Sequence, residues 1–498
     1  NKNNNINNNM NINMNNNNNI NNINNNNMNY INMNINMNNN KNINNINNNN
    51  INNNNNMNNN MINKFKGMNL IKPNNYNYTM NNNNFMYLIN AVNQMGYMNN
   101  YCINQNNINH QMNLNNINNY QGSENANIIG QNNSLKYPHK TGLQNVGQTC
   151  YMNSTIQCLS NIKYLSDYLI KHYGEYKEVD IKNKPLSVAF SSLVYDLFTT
   201  QQKNIAPNLF KKIIGKLNPL FEGNHAADAK DLIFFLLEKL HQELNKKDNS
   251  SEQSNIDYAQ LEKDSFIEQK MLEHFIKDYT EKNRSIISDT FYGIIRSTMM
   301  CNTCKQIKYS FQTFNLLIFQ LKNVKEYNQN TLKNNNNYKI NIYDAFDCDK
   351  KEEILDGENM IYCNSCKGLN PGTHQQIIYS LPKVLIIILN RGRNNQDFNE
   401  EFIFPAELDL SIENYVVVNN NPDCNTHFYL QSVITHLGES GAGGHFIAYC
   451  RNGPKEDFFC YNDASVSKAT VNDAMGSKIS ENVYEKRTPY ILVYHHMN

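Results

Sequence analysis

Three groups of residues in this sequence are of types that do chemistry. Cys150 lies in "GLQNVGQTCYMNST" (142–155), where small polar residues give way to an apolar pattern of helical period. A cysteine attacks as thiolate, and an unperturbed pKa of about 8.5 leaves little thiolate at neutral pH. A helix N-terminus or a neighbouring imidazolium lowers that value. Cys150 stands at such a helix start, which suits a nucleophile. A buried structural thiol is the competing reading, and on position alone it is the commoner one. The base for a catalytic cysteine comes from elsewhere in the chain. His445 ends the glycine-rich loop in "ESGAGGHFIAYC" and opens an alternating strand. Gly443 and Gly444 just before it would let a substrate backbone approach closely. "YND" (461–463) ends the next strand, and Asn462 or Asp463 could accept the hydrogen bond that orients the imidazole.

The third group is two CxxC pairs, Cys301 with Cys304 and Cys363 with Cys366. Four thiolates at this local spacing suit tetrahedral zinc in a structural role, with no ligand position left open for catalysis. A redox CxxC is the rival, but no thioredoxin-like βαβ pattern surrounds either pair. The long interval between the pairs contains "NQNTLKNNNNYKIN", whose Asn run at 334–337 reads as an expanded loop tip. His374 is expected in a loop nearby. Cys102, Cys158, Cys348, Cys424, Cys450 and Cys460 are expected to pack without a chemical role.

The elements that must position these groups lie in the second part of the chain. Residues 1–134 are low-complexity, Asn with scattered Ile and Met, and cannot bury enough apolar surface to offset chain entropy. A globular region is expected over 135–498. Its first half reads helical: Ile156 with Leu159, then Val188, Leu193, Leu197 and Phe198 on one side, then "DAKDLIFFLLEKLHQEL" from about Ala226 to Leu244. A charged helical excursion follows, from about Lys246 to Ser288. The second half reads as strands, including "VLIIILN" (384–390), "HFIAYCRN" and "PYILVYHH", separated by Gly, Asn and Asp turns. Helices followed by a mostly antiparallel sheet indicate an α+β fold.

Composition excludes some functions. A net charge of +1 gives no support for a nucleic-acid or membrane-surface binder. No apolar run reaches the roughly 18 residues of a membrane span. No secretory signal is visible after Asn1, and the missing initiator methionine suggests processing or an incomplete reading frame. Eleven cysteines, an odd count that includes the CxxC pairs, fit a reducing compartment, cytosol or nucleus.

Several of these motifs together resemble one family. "GLQNVGQTCYMNSTIQCL" is similar to the cysteine box of the ubiquitin-specific proteases, papain-like cysteine peptidases. "YLQSVITHLGESGAGGHFIAYCRN" with "FFCYNDASVSKAT" is similar to their histidine box. "DAKDLIFFLL", "FYGIIRSTMMCNTC", "LPKVLIIILNR", "FIFP" and "PYILVYHH" match further landmarks in order, so the resemblance spans essentially 140–496. It implies a helical thumb, an antiparallel-sheet palm and zinc-ribbon fingers at about 291–380 that grip ubiquitin. It implies Cys150 as nucleophile, His445 as base, Asn462 as third triad member, Asp463 as its acidic neighbour and Asn145 as oxyanion donor. Cys301, Cys304, Cys363 and Cys366 become the structural Zn2+ ligands. Asp228 becomes the carboxylate for the arginine of ubiquitin's tail, and Gly443 and Gly444 line a channel for its glycines. The implied activity is hydrolysis after ubiquitin's terminal glycine, with ubiquitin and ubiquitinated proteins as partners and no catalytic cofactor. The alternatives are a silent ubiquitin-binding module and a protease for a ubiquitin-like modifier.

The chain departs from the family pattern at four places. Gln148 stands where Asn is usual. "AADAKD" (226–231) lacks the usual paired glutamines and the His-Glu. Gly392 replaces an aromatic, and Phe458 stands where tryptophan is common.

Overall fold

The structure is a computed structural model. It describes residues 136–246, 267–331, 338–392, 395–411, 415–417, 426–441, 443–476 and 486–497. The Asn-rich segment 1–134, the Asn run at 334–337, Cys102 and Cys424 lie outside the described residues.

A helical layer comes first: α1 (Cys150–Ser160), α2 (Lys163–Tyr173), α3 (Pro185–Thr199), α4 (Asn208–Leu217) and α5 (Ala229–Leu244). Every residue of α1 is buried, polar ones included. The amides of Asn153, Gln157 and the C-cap residue Asn161 recur every four residues and so share one face. They bond backbone carbonyls: Asn153 donates to Leu143 O, Gln157 to Thr141 O and Asn161 to Gln157 O. A buried polar group that finds its partner avoids a penalty of about 1–3 kcal/mol. The helix therefore sits wholly inside the protein and stays fixed to the segment just before it.

In α3 the inward side is Leu186, Ala189, Phe190, Leu193, Val194 and Leu197. Val188 and Phe198, expected on that side, are only half-buried. Phe198 instead packs its ring against Tyr137 and His139 from the entering segment. Helix α5 begins at Ala229, three residues later than the apolar pattern suggested, because Asp228 caps it by accepting from Lys230 N at 3.0 Å. Of the charged excursion, α6 (Ile267–Lys282) is described; it packs on the finger sheet, with Glu268 bonded to Arg296 and Phe275 against Phe311.

The palm is a sheet of seven consecutively paired strands with a short eighth at Glu407–Asp409. The seven are β3 (Leu317–Gln320), β6 (Val384–Asn390), β7 (His427–Ser440), β8 (Gly443–Cys450), β9 (Phe458–Asn462), β10 (Ser465–Ala469) and β11 (Arg487–His496). Their order is β10-β9-β8-β7-β11-β6-β3, antiparallel throughout except β3 beside β6. The run 384–389 is fully buried, as a strand covered on both faces requires.

The fingers are a four-stranded antiparallel sheet, β2-β1-β5-β4, built from β1 (Gly293–Cys301), β2 (Ile307–Phe314), β4 (Glu353–Leu355) and β5 (Gly372–Ser380). His374, expected in a loop, is buried within β5. There its ring bonds the Ser297 hydroxyl at 2.7 Å, because period-2 alternation turns both side chains to one face. No described helix is long and apolar enough to cross a membrane.

Candidate active site

Cys150 is the first residue of α1, with Thr149 as its cap. At that position the helix points unpaired N–H groups and the positive end of its dipole at the side chain. The thiol is 8% exposed, buried but reachable. Helix α1 packs on β8, which carries His445 at its start, opposite Leu437 in the ladder. Strand β9, pairing with β8 through Ala448 and Tyr461, ends at Asn462. Its place is anchored by the buried Tyr461, whose hydroxyl donates to His139 O.

These placements assemble a relay. His445 Nε2 lies 2.7 Å from Asn462 Oδ1. Cys150 is the largest cause raising the His445 imidazole to about 9; burial opposes it, and the Asn462 bond adds to it. With Nε2 committed to Asn462, Nδ1 is the nitrogen left to face sulfur. Asn462, not Asp463, is therefore the residue that orients the ring.

Asp463 has a different geometry from the one its place beside Asn462 suggests. Its Oδ2 accepts from Asn145 Nδ2 at 3.0 Å and its Oδ1 from Asn153 Nδ2 at 2.7 Å. Its backbone carbonyl accepts from Leu143 N at 2.9 Å. Asn145 Oδ1 in turn accepts from Gly147 N at 3.2 Å and Thr149 N at 3.0 Å. The Asn145 amide is thus fixed at both ends, with one N–H on Asp463 and the second left for a ligand.

Gln148 and Asp463 both have positive φ, 51° and 49°. Asn and Asp tolerate this left-handed region better than other side chains, so Gln148 is strained where Asn would not be. Its extra methylene lets Oε1 reach Ala226 N at 3.0 Å. The longer amide thereby ties the nucleophile loop to the segment that begins α5, a bond that offsets the strain.

Gly443 and Gly444 separate in role. A Cβ on Gly443 would meet nothing within 4 Å, so this backbone faces open space. A Cβ on Gly444 would fall 2.2 Å from His436 Cε1, and its φ is +152°. His436 lies buried between the rings of Phe398 and Phe446 under that glycine. Burial holds its imidazole below the usual value, while Asp228 pulls up and His445 down. Asp228 therefore shares an electrostatic neighbourhood with His445. Besides capping α5, it accepts from Tyr490 OH at 2.8 Å. Two other departures have packing explanations. Gly392 faces Asp397, whose Cβ would lie 2.5 Å from an added Cβ, and Phe458 packs under the Arg451 guanidinium at 4.8 Å.

The four knuckle cysteines converge at the finger tip. Their sulfurs all lie within 4.8 Å of one another, with Cys304 to Cys363 at 3.4 Å and Cys301 to Cys366 at 4.0 Å. A tetrahedron of Zn–S bonds near 2.3 Å has sulfur–sulfur edges of about 3.8 Å, so the donor set fits a metal of that kind. Each pair is followed by a lysine of positive φ, Lys305 at 60° and Lys367 at 55°, so the two knuckles turn alike.

Among the expected site residues, the structure brings Cys150, His445, Asn462, Asp463 and Asn145 together, and groups the four cysteines apart from them. Asn153, Tyr490, His436 and Lys230 were not singled out by sequence reasoning. The spacing of 153, 157 and 161 was a readable signal for the first. The others become visible only when distant strands and helices meet.

The chain also resembles known proteins. The family profile described as ubiquitin carboxyl-terminal hydrolase matches residues 141–494. Ubiquitin carboxyl-terminal hydrolase 2 of Homo sapiens is 28% identical, over 72% of this chain and 57% of that protein. Ubiquitin carboxyl-terminal hydrolase Usp2 of Drosophila melanogaster is 28% identical, over 71% of this chain and 34% of that protein. The chain thus spans between a third and just over half of these relatives' lengths. A solved SAGA DUB module containing Ubp8, bound to monoubiquitin, has the same fold, with a TM-score of 0.54, 19% identity and coverage of 75% of this chain and 73% of that one. Since the profile covers well over half of the sequence and runs from the cysteine box to the last strand, the chain belongs to the ubiquitin carboxyl-terminal hydrolase family.

Proposed function

We propose that the chain is a thiol-dependent deubiquitinase, hydrolysing the isopeptide or peptide bond after the C-terminal glycine of ubiquitin. The relay from Cys150 through His445 to Asn462 carries this proposal, because Asn462 holds the imidazole at 2.7 Å and Cys150 is the largest influence on its proton. His445 accepts the thiol proton, and the sulfur attacks the terminal carbonyl carbon. The oxyanion receives the Cys150 backbone N–H and the second Asn145 N–H, both held before reaction begins. His445 gives its proton to the leaving amine, and water, deprotonated by His445, releases ubiquitin from the thioester. The backbone at Gly443, open to solvent, and Gly444, closed by His436, suit a lane for a glycine tail. The DUB module of like fold, bound to monoubiquitin, supports ubiquitin as partner.

A fluorogenic amide of ubiquitin's C-terminus and a tail-reactive electrophile test this. Turnover is expected, with one adduct per chain mapping to Cys150. Binding without turnover or adduct would select the silent ubiquitin-binding module, which the altered "AADAKD" motivates and the intact relay opposes. A panel carrying a ubiquitin-like modifier separates the remaining alternative.

The finger cysteines would hold Zn2+ through Cys301, Cys304, Cys363 and Cys366, and the ion would supply only cross-linking of the two knuckles. Treatment with a strong chelator is expected to remove amide protection from β1, β2, β4 and β5 in hydrogen exchange, with zinc restoring it. Unchanged protection would refute the assignment. All nine described cysteines are free thiols, which supports a reducing compartment, cytosol or nucleus.

A further inference from the structure

Asp228 is the carboxylate that the family resemblance assigns to the arginine of ubiquitin's tail, yet a cation of the chain already sits on it. Lys230 Nζ lies 3.5 Å from Asp228 Oδ2 and 3.5 Å from Asn390 Oδ1. Both Asp228 oxygens hold a further donor, Lys230 N on Oδ1 and Tyr490 OH on Oδ2. A carboxylate offers about four lone-pair sites, so two are committed before any ligand arrives. A bidentate guanidinium would need both oxygens at once. The side chains of Lys230 and Asp228 are 32% and 30% exposed, so solvent reaches the pair.

The surroundings tie this pair to the nucleophile loop. The segment before Asp228 is tied to the nucleophile loop by the Gln148 bond to Ala226. His436, under the glycine lane, feels both Asp228 and His445. Any cation drawn to Asp228 therefore meets the Lys230 ammonium within contact range. A neutral side chain meets no such repulsion, and an acidic one gains a partner in Lys230 that offsets its repulsion by Asp228.

We propose that Lys230 is a specificity-determining residue that partly neutralises Asp228, so that the tail site discriminates weakly for arginine and accepts modifiers bearing a neutral or acidic residue there. This rests on the hydrolase function proposed above. In the ordinary case a lysine in the first turn of a helix is a solvated side chain with no such role. Coupling between Lys230 and the tail residue distinguishes the two.

The test is a double-mutant cycle on the full chain. The substrates are C-terminal fluorogenic amides of ubiquitin with the native tail and with single tail arginines changed to alanine or glutamate. The enzymes are the wild type, Lys230→Gln and Lys230→Arg. In the wild type, each arginine-to-alanine change is expected to lower kcat/KM less than about threefold, and a glutamate tail to remain a substrate. In Lys230→Gln, one arginine-to-alanine change is expected to cost at least about tenfold, through KM with kcat unchanged, because Asp228 is freed for the guanidinium. The glutamate tail is expected to be rejected. Lys230→Arg keeps the charge and is expected to behave as the wild type, which excludes a packing effect of the glutamine. Equal losses in the wild type and Lys230→Gln at every tail arginine would overturn the proposal. Absence of cleavage and binding for every tail with the wild type would overturn the hydrolase function, and this inference with it.

Discussion

Cys150→Ala is expected to lower kcat/KM on a ubiquitin C-terminal amide by at least about 10,000-fold, because both covalent steps of the proposed reaction pass through its sulfur. Cys150 is buried at 8% exposure, and alanine suits a helix start without leaving a large void. Ubiquitin binding should therefore persist, which calorimetry on the variant would read. Loss of turnover with retained affinity locates the effect in chemistry. Activity surviving within about tenfold would sink the nucleophile assignment. The pH profile checks the partner group. Because Cys150 and Asn462 raise His445 to about 9, an imidazole that has taken the thiol proton keeps it through neutral pH. Above about 9 it is lost, and kcat/KM is expected to fall on that alkaline side. Asn462→Ala removes one of the raising bonds, so the alkaline limb should move to lower pH. A limb that does not move would mean that Asn462 is not what holds the ring.

Much of this site was legible in the sequence, and the limits have a physical cause. Cys150 was readable because helix starts have local signatures, and His445 because a glycine loop meeting an alternating strand is also local. The four cysteines declared themselves by spacing. The α+β order followed from periodicity, which switches from helical to alternating near residue 290. What stayed hidden depends on contacts across hundreds of residues. Asp463 reaches Asn145 and Asn153 over separations of 318 and 310 residues. Gln148 reaches Ala226 over 78. Nothing local marks such pairs, so Gln148 looked like a defect in the cysteine box until its acceptor contact to α5's leading segment was seen. His374 failed in the opposite direction: it was expected in a loop, but the sheet register carries β5 through it.

Asp463 gives the second large effect, and its geometry sets how that effect should look. Its carboxylate does not bond His445; it holds the Asn145 amide and the start of α1 through Asn153. It is a positioning residue, acting on the oxyanion donor and the nucleophile's helix. Losing one oxyanion donor costs about 100- to 1,000-fold in kcat. Asn145→Ala is expected to show a loss of that size, and Asp463→Ala a similar one, since it releases the same amide. The double variant should be little worse than either alone, because both remove one interaction unit. Asp463→Ala also places a β-carbon residue at φ 49° without the local side-chain bonding that Asp uses there. Asp463→Asn avoids that complication, since asparagine tolerates the same φ. Yet an amide accepts at only one end, so it can serve Asn145 or Asn153 but must face the other with its own NH2. The asparagine variant should therefore fold normally and still lose most of its kcat, with KM little changed and the alkaline limb moved only slightly down, since the Asp463 charge is the smallest of the causes that raise His445. Full activity in Asp463→Asn would show that a carboxylate is not needed there. A loss accompanied by a large shift of the alkaline limb would show that Asp463 acts on His445 instead of on Asn145.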